Sequence, residues 1–150
     1  MPARKNAHLI GVEKTVVALT RAFGNAFWVR AQATLSLGLH SAPDPDIAVV
    51  PGPRRVDVNC PTEASLVVEV SDSTLWLDRT RKARLYAKAG IREYWVLDLV
   101  HRQLEVYRDP VDDPASRSRR RYAVVSVLSP AQKITPLAAT QSVTVARLLP

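Results

Sequence analysis

The sequence predicts a mixed α/β fold built on a central sheet, and three observations predict it. Leu9, Val12, Val16, Leu19 and Phe23 recur at three- and four-residue steps, the period of an amphipathic helix. Leu66, Val67, Val68 and Val70 form an apolar run that breaks at "SDST" and gives way to a helical segment, the order of a buried strand feeding a crossover helix. "EYWVLDLV" and "LEVYRD" are apolar strands separated only by "HRQ", the spacing of a hairpin.

Taken in order, "NAHLIGVEKTVVALTRAF" is the first helix, ended by Gly24 and Asn25. In "FWVRAQATLSLG", Phe27, Val29, Ala31, Ala33, Leu35 and Leu37 alternate with polar or larger neighbours, which predicts one half-buried strand along the whole stretch. "HSAPDPD" is a turn by its prolines and aspartates, and "IAVV" is a short strand leaving it. "PGPRRVDVNCPTEA" is a proline-punctuated loop, followed by the strand that carries Glu69 and a helix from about Leu77 to Lys88 that stops at Gly90. After the hairpin, "DPVDDPASRSRR" reads as a loop, "YAVVSVLS" as a strand, and the remainder to Pro150 as weakly patterned. No internal repeat and no long linker divides the chain, so residues 1–150 are expected to form a single domain with a basic loop at about 110–121.

Composition narrows the function classes. Hydrophobic residues make up 47% and charged residues 23%, an ordinary globular balance. No apolar run reaches the roughly 20 residues of a membrane span, and Glu13 and Lys14 interrupt the only segment placed like a secretory signal, so a cytoplasmic protein with no membrane association is expected. The single cysteine, Cys60, excludes an intrachain disulfide and a multi-cysteine zinc site. The net charge of +7, from 21 Lys plus Arg against 14 Asp plus Glu, favours a polyanionic partner. Arg117, Arg119, Arg120 and Arg121 concentrate part of it and are candidate phosphate contacts, or a solvated loop.

Glu69 is the residue that its strand does not need. A carboxylate among Leu66, Val67, Val68 and Val70 costs several kcal/mol unless a cation or hydrogen-bond donors meet it. Asp46 stands at the start of the short "IAVV" strand, and pairing of that strand with the Glu69 strand brings both carboxylates to one end of the sheet. With the backbone carbonyl of Val70 they would offer Mg²⁺ hard oxygen ligands. Lys82, on the following helix, would orient an attacking water and stabilise charge developing on a phosphodiester. Each residue also has a plainer reading: Asp46 as a turn former, Glu69 and Lys82 as a buried ion pair fixing helix to strand, Lys82 as one solvated cation beside Arg79, Arg81, Arg84 and Lys88.

"PDIAVV", "LVVEVSDST", "DRTRKARLYAKAGIREYWVLDL" and "LEVYRDP" resemble the Uma2 family of restriction-endonuclease-like proteins, within the wider PD-(D/E)XK nuclease superfamily. The resemblance runs from about His8 through Asp109 and weakens beyond. It implies a restriction-endonuclease-like core in which a mixed sheet is flanked by helices, with Asp46 as the metal-binding aspartate of the "PD" element and Glu69 as the second acidic ligand. The superfamily lysine usually follows the acid by two positions, where this chain has Ser71; the resemblance implies that Lys82 takes its place from the helix. Accessory positions are His8, where the family often has a histidine, Glu13 on the same helix, Ser71, and Tyr86 four residues after Lys82. The strand-rich segment that usually precedes the first helix is short here. The implied function is a Mg²⁺- or Mn²⁺-dependent endonuclease hydrolysing DNA phosphodiester bonds; the alternative is a catalytically inactive DNA-binding or regulatory protein of the same fold. A homodimer paired through "EYWVLDL" would present two sites to a duplex.

Overall fold

The computed structural model describes residues 3–38, 40–57 and 60–150. The chain opens with α1 (Ala3–Phe23) and β1 (Phe27–Ala31), then β2 (Ile47–Pro51) and β3 (Leu66–Ser71). One continuous helical stretch follows: α2 (Leu75–Leu77), a π-helical turn (Asp78–Lys82) and α3 (Ala83–Lys88). Then come β4 (Glu93–Asp98), β5 (Gln103–Asp112) and β6 (Arg120–Leu128), and finally the short strands β7 (Lys133–Ile134) and β8 (Val143–Thr144) with a 3₁₀ turn at Val145–Arg147. Val58 and Asn59 of the expected proline-punctuated loop lie outside the described residues.

The main sheet has six strands in the order β1-β2-β3-β4-β5-β6. Its neighbours are antiparallel except β3 and β4, which run parallel because the helical stretch carries the chain back between them. The inner strands β2 to β5 are covered on both faces. On one, α1 places Val12, Leu19 and Phe23 against Ile47, Val68, Val70, Trp95 and Leu97. On the other, Ala83, Tyr86 and Ala87 of α3 meet Ala48, Val67, Tyr94, Val96 and Tyr107. Period two along β3 therefore sends Leu66, Val68 and Val70 towards α1, and Val67 and Glu69 towards α3.

Four sequence expectations are corrected. The alternating stretch from Phe27 is a strand only to Ala31. Gln32 turns into the left-handed region (φ 50°), and beyond it the chain bonds irregularly, Leu35 N–H to Pro43 and Leu37 N–H to Ser41. Alternation records which side chains are buried, and Leu35 is fully buried; it does not supply a partner, and the facing segment carries Pro43 and Pro45, which have no N–H to give. The expected loop after Arg108 starts late, because β5 continues to Asp112, passing a distortion at Asp109 (φ 63°) where the ladder skips one pair. The weakly patterned C-terminus supplies Val143, Val145, Leu148 and Leu149 to the α1-side core. Finally, "EYWVLDL" cannot pair across a two-fold axis, since β4 lies inside the sheet, hydrogen-bonded to β3 and β5.

Candidate functional site

The antiparallel register of β2 on β3, Ile47 opposite Val68, brings Asp46 alongside the last residues of β3. Val70 N–H donates to Asp46 Oδ2 at 2.8 Å, and Asp46 N–H approaches Glu69 Oε2 at 3.4 Å, so main chain and carboxylates fix one another. Val70 belongs, with Val68, to the β3 residues whose N–H and C=O face β2; its carbonyl thus leaves the strand on the Asp46 side. From the opposite face, α1 comes close enough for His8 Nε2 to reach Asp46 Oδ2 at 3.2 Å. Gly11 eases this approach: a Cβ there would sit 3.1 Å from Val70 Cγ1, a contact tight enough that the helix or the valine must give by a few tenths of an ångström.

Glu69 is 2% exposed. Tyr86 donates its hydroxyl to Oε1 at 2.8 Å, and Lys82 Nζ lies 3.3 Å from Oε2. The same ammonium is 3.2 Å from Asp78 Oδ1, whose other oxygen accepts the Thr74 hydroxyl at 2.9 Å. Asp78 and Lys82 are the two ends of the π turn, a widened turn of the kind frequent at functional sites, and Tyr94 donates to the Asp78 carbonyl at 2.8 Å to hold it down on the sheet. Lys82 therefore reaches the acidic cluster from the helix, while Ser71, on the strand, is fully buried with its hydroxyl unpartnered among the described residues.

Two carboxylates thus share one ammonium, and a third, Asp46, stands beside Glu69 with His8 as its own side-chain partner. Burial pushes the Glu69 carboxyl up to about 7; Lys82 and the Tyr86 hydrogen bond oppose that rise, and the charges of Asp46 and Asp78 add to it. For Lys82, burial works against the charged form, but the pull of Glu69 and Asp78 outweighs it and raises the pKa. Tyr86 is pushed far upward by burial and by Glu69, so it stays a hydroxyl donor. The cluster is short of positive charge, which is the condition under which a divalent cation is welcome. The donors are hard carboxylate and carbonyl oxygens, the set Mg²⁺ prefers. Among the described residues no group of three or more His, Cys, Asp and Glu side chains is arranged around a common metal position. A Mg²⁺ site held by one or two carboxylates and completed by waters does not need such a group.

Other sequence candidates lie elsewhere. Glu13 is exposed and lines a groove between α1 and the C-terminal segment. The arginine cluster sits at the β5–β6 turn and the start of β6: Arg117 and Arg119 are exposed, while Arg120 donates to the Pro110 carbonyl and Arg121 faces Asp113 at 3.7 Å. Sheet register aligns Glu69 with Val96, Glu105 and Val127. Arg121 is six residues further along β6 than Val127, roughly 20 Å away from that row. Sequence reasoning missed Asp78, although an acid four residues before a lysine on a helix is a readable pairing signal. Asp98 is recognisable as an acid inside an apolar strand, but its grouping with Glu105 around Arg79 is not. Arg79 grips Glu105 through Nε at 2.8 Å and Asp98 through Nη2 at 3.2 Å; Asp98 also accepts the N–H groups of Val100 and His101 and the His101 ring at 2.7 Å.

A six-stranded mixed sheet flanked by helices, with two acids at a strand end and a lysine on the crossover helix, defines an α/β core of restriction-endonuclease type. Its backbone is similar to the crystal structure of a "putative nuclease belonging to DUF820" from Anabaena variabilis, with a TM-score of 0.70 over 95% of this chain and 79% of that one. Identity is 16%, so the likeness is one of fold. The chain belongs to the Uma2 family, described as "Putative restriction endonuclease", which residues 1–146 match. No curated protein matches it. Among the described residues no helix is long and apolar enough to cross a membrane.

Proposed function

We propose that the protein is a metal-dependent endonuclease that hydrolyses DNA phosphodiester bonds at Asp46, Glu69 and Lys82. The observation that carries the proposal is the deficit of positive charge: Glu69 and Asp78 share one lysine, Asp46 lies against Glu69, and Glu69 is pushed up to about 7. Asp46, Glu69 and the Val70 carbonyl would hold Mg²⁺ or Mn²⁺, which would supply Lewis acidity towards the phosphate and a more acidic water. The remaining work falls to the chain. Tyr86 ties down Glu69 Oε1 and leaves Oε2 turned towards Asp46 and Lys82. Val70 N–H and His8 orient Asp46 through Oδ2. Lys82, 35% exposed, keeps its ammonium charged at the mouth of the cluster, where it would orient the attacking water and stabilise charge growing on the phosphate oxygens. The net charge of +7 favours a nucleic-acid polyanion, and exposed Arg117 and Arg119 would contact its backbone away from the cut.

The second reading is a DNA-binding or regulatory protein without catalysis. It is favoured by the way Lys82 is already occupied by two carboxylates, as in a structural ion pair. Incubation with supercoiled plasmid and Mg²⁺ or Mn²⁺ separates the two. The nuclease reading expects nicked or linear product from the wild type and none from Glu69→Gln or Lys82→Ala. Tight plasmid binding with no product in any metal would leave the binding-only reading.

A further inference from the structure

The sheet has two edges, and they are built differently. β1 is five residues long and carries Arg30 folded over Trp28, a charged side chain of the kind that blunts an edge. β6 is nine residues long, and from Tyr122 to Leu128 it contains no proline and no charge. Val124, Val125 and Val127 are 48%, 52% and 56% exposed, on both faces of the strand. Ladder parity sets which backbone groups are free. Leu99 N–H donates to the Ser71 carbonyl, so Tyr94, Val96 and Asp98 bond towards β5, and Leu104, Val106 and Arg108 bond from β5 to Leu128, Ser126 and Val124. Val125 and Val127 therefore turn their N–H and C=O groups away from the sheet.

We propose that β6 pairs with β6 of a second copy of this chain, antiparallel about a two-fold axis at Ser126. In that register the outward-facing groups of Val125 meet those of Val127 of the other copy, and the reverse, so four main-chain hydrogen bonds close the edge. Val124 falls opposite Leu128, and each exposed valine gains an apolar neighbour. No like charges stand opposite one another, because Arg120 and Arg121 lie beyond the paired segment at its two outer ends. Val127 of the second copy also comes to the mouth of a cleft of about 200 Å³ between α3 and β6, lined by Ala83, Arg84, Tyr107 and Val125. The axis stands normal to the sheet, so both Glu69–Lys82 faces point the same way. From β3 to its counterpart there are then seven strand spacings, roughly 34 Å, close to one turn of duplex DNA. That last consequence rests on the nuclease reading; the pairing itself does not.

Ser126 on the axis gives a direct test. It faces itself in a non-hydrogen-bonded pair, with Cα atoms about 4.5 Å apart, within disulfide reach. Val124 and its counterpart would be roughly 13 Å apart, too far to bridge. In a Cys60→Ser background, Ser126→Cys should cross-link to a covalent dimer under mild oxidation and Val124→Cys should not. Sedimentation of the wild type should give twice the chain mass. Val125→Lys with Val127→Lys should give a monomer with unchanged circular dichroism, since both side chains are exposed and the pair would set ammonium groups opposite each other. A monomeric wild type, or a dimer that neither cross-links at position 126 nor responds to the lysine pair, would overturn the proposal.

Discussion

Two acidic clusters lie side by side on the α3 face of the same sheet, and they are finished differently. At Asp98 and Glu105, a guanidinium, two backbone N–H groups, the His101 ring and the Tyr107 hydroxyl saturate the carboxylates. Arg79 delivers both its Nε and its Nη2 to Glu105, the fork geometry that suits a carboxylate pair held for structure. At Glu69, one flexible lysine serves two acids while a third, Asp46, touches Glu69 through its backbone. The first cluster is closed; the second is still short of a cation. Burial alone does not distinguish them, since Glu69, Asp98 and Glu105 are all at most 3% exposed. The difference between them lies in which cation meets the acids and how many acids share it, and the proposed metal site rests on that difference.

The contrast can be broken most forcefully at Arg79. Arg79→Ala leaves Asp98 and Glu105 buried without their cation and should destabilise the fold by about 3 kcal/mol or more, read from the urea midpoint at unchanged slope. An effect under about 1 kcal/mol would mean that the closed cluster is not structural.

Next in size is a pH effect at Glu69. Its pKa of about 7 in the folded protein lies above the ordinary glutamate value of 4.5, so its contribution to stability is fully present below about pH 4.5 and is lost as pH rises through 7. Glu69→Gln removes this dependence. Without divalent metal, the variant should gain on the wild type by about 2–3 kcal/mol between pH 4.5 and pH 8, seen as diverging melting temperatures. Parallel curves would contradict the charge deficit.

Lys82→Ala should cost less, about 1 kcal/mol at pH 8, because the ammonium is 35% exposed and Glu69 can take up a proton in its absence. A loss of 3–5 kcal/mol, as for a fully buried pair, would instead make Lys82 structural. The smallest effect is expected at Gly11. Gly11→Ala gains about 1 kcal/mol of helix propensity against a tight contact with Val70 Cγ1 at 3.1 Å, so stability should change by less than about 1 kcal/mol. The His8 ring resonances should nevertheless shift as α1 is displaced from Asp46; an unchanged ring would disconnect Gly11 from the site.

Much of this was legible in the sequence because strong local patterns coincided with tertiary needs. The helical period of α1, the apolar run of β3 and the β4–β5 hairpin each fell where one burial pattern fits one element. Asp46 and Glu69 meet because the antiparallel pairing of β2 with β3 sets the residue before Ile47 beside the end of β3, and two short apolar strands in sequence make that pairing readable. Tyr86, an accessory position by resemblance, packs on the sheet and bonds Glu69, a contact that periodicity cannot foresee. The end of β1 at Ala31 and the β5 distortion at Asp109 depend on which segment stands opposite, and period two is silent about that. The arginine cluster was visible as charge, but only the sheet register placed it away from the acids.

The proposed divalent-cation site is the Asp46–Glu69 cluster and not the Asp98–Glu105 cluster. Isothermal titration of Mg²⁺ or Mn²⁺ into the wild type, Asp46→Asn, Glu69→Gln and His101→Ala tests it most directly. Saturable binding is expected in the wild type and in His101→Ala, and its loss in both Asp46→Asn and Glu69→Gln. No binding in the wild type with DNA present, or binding that survives loss of Glu69, would contradict it.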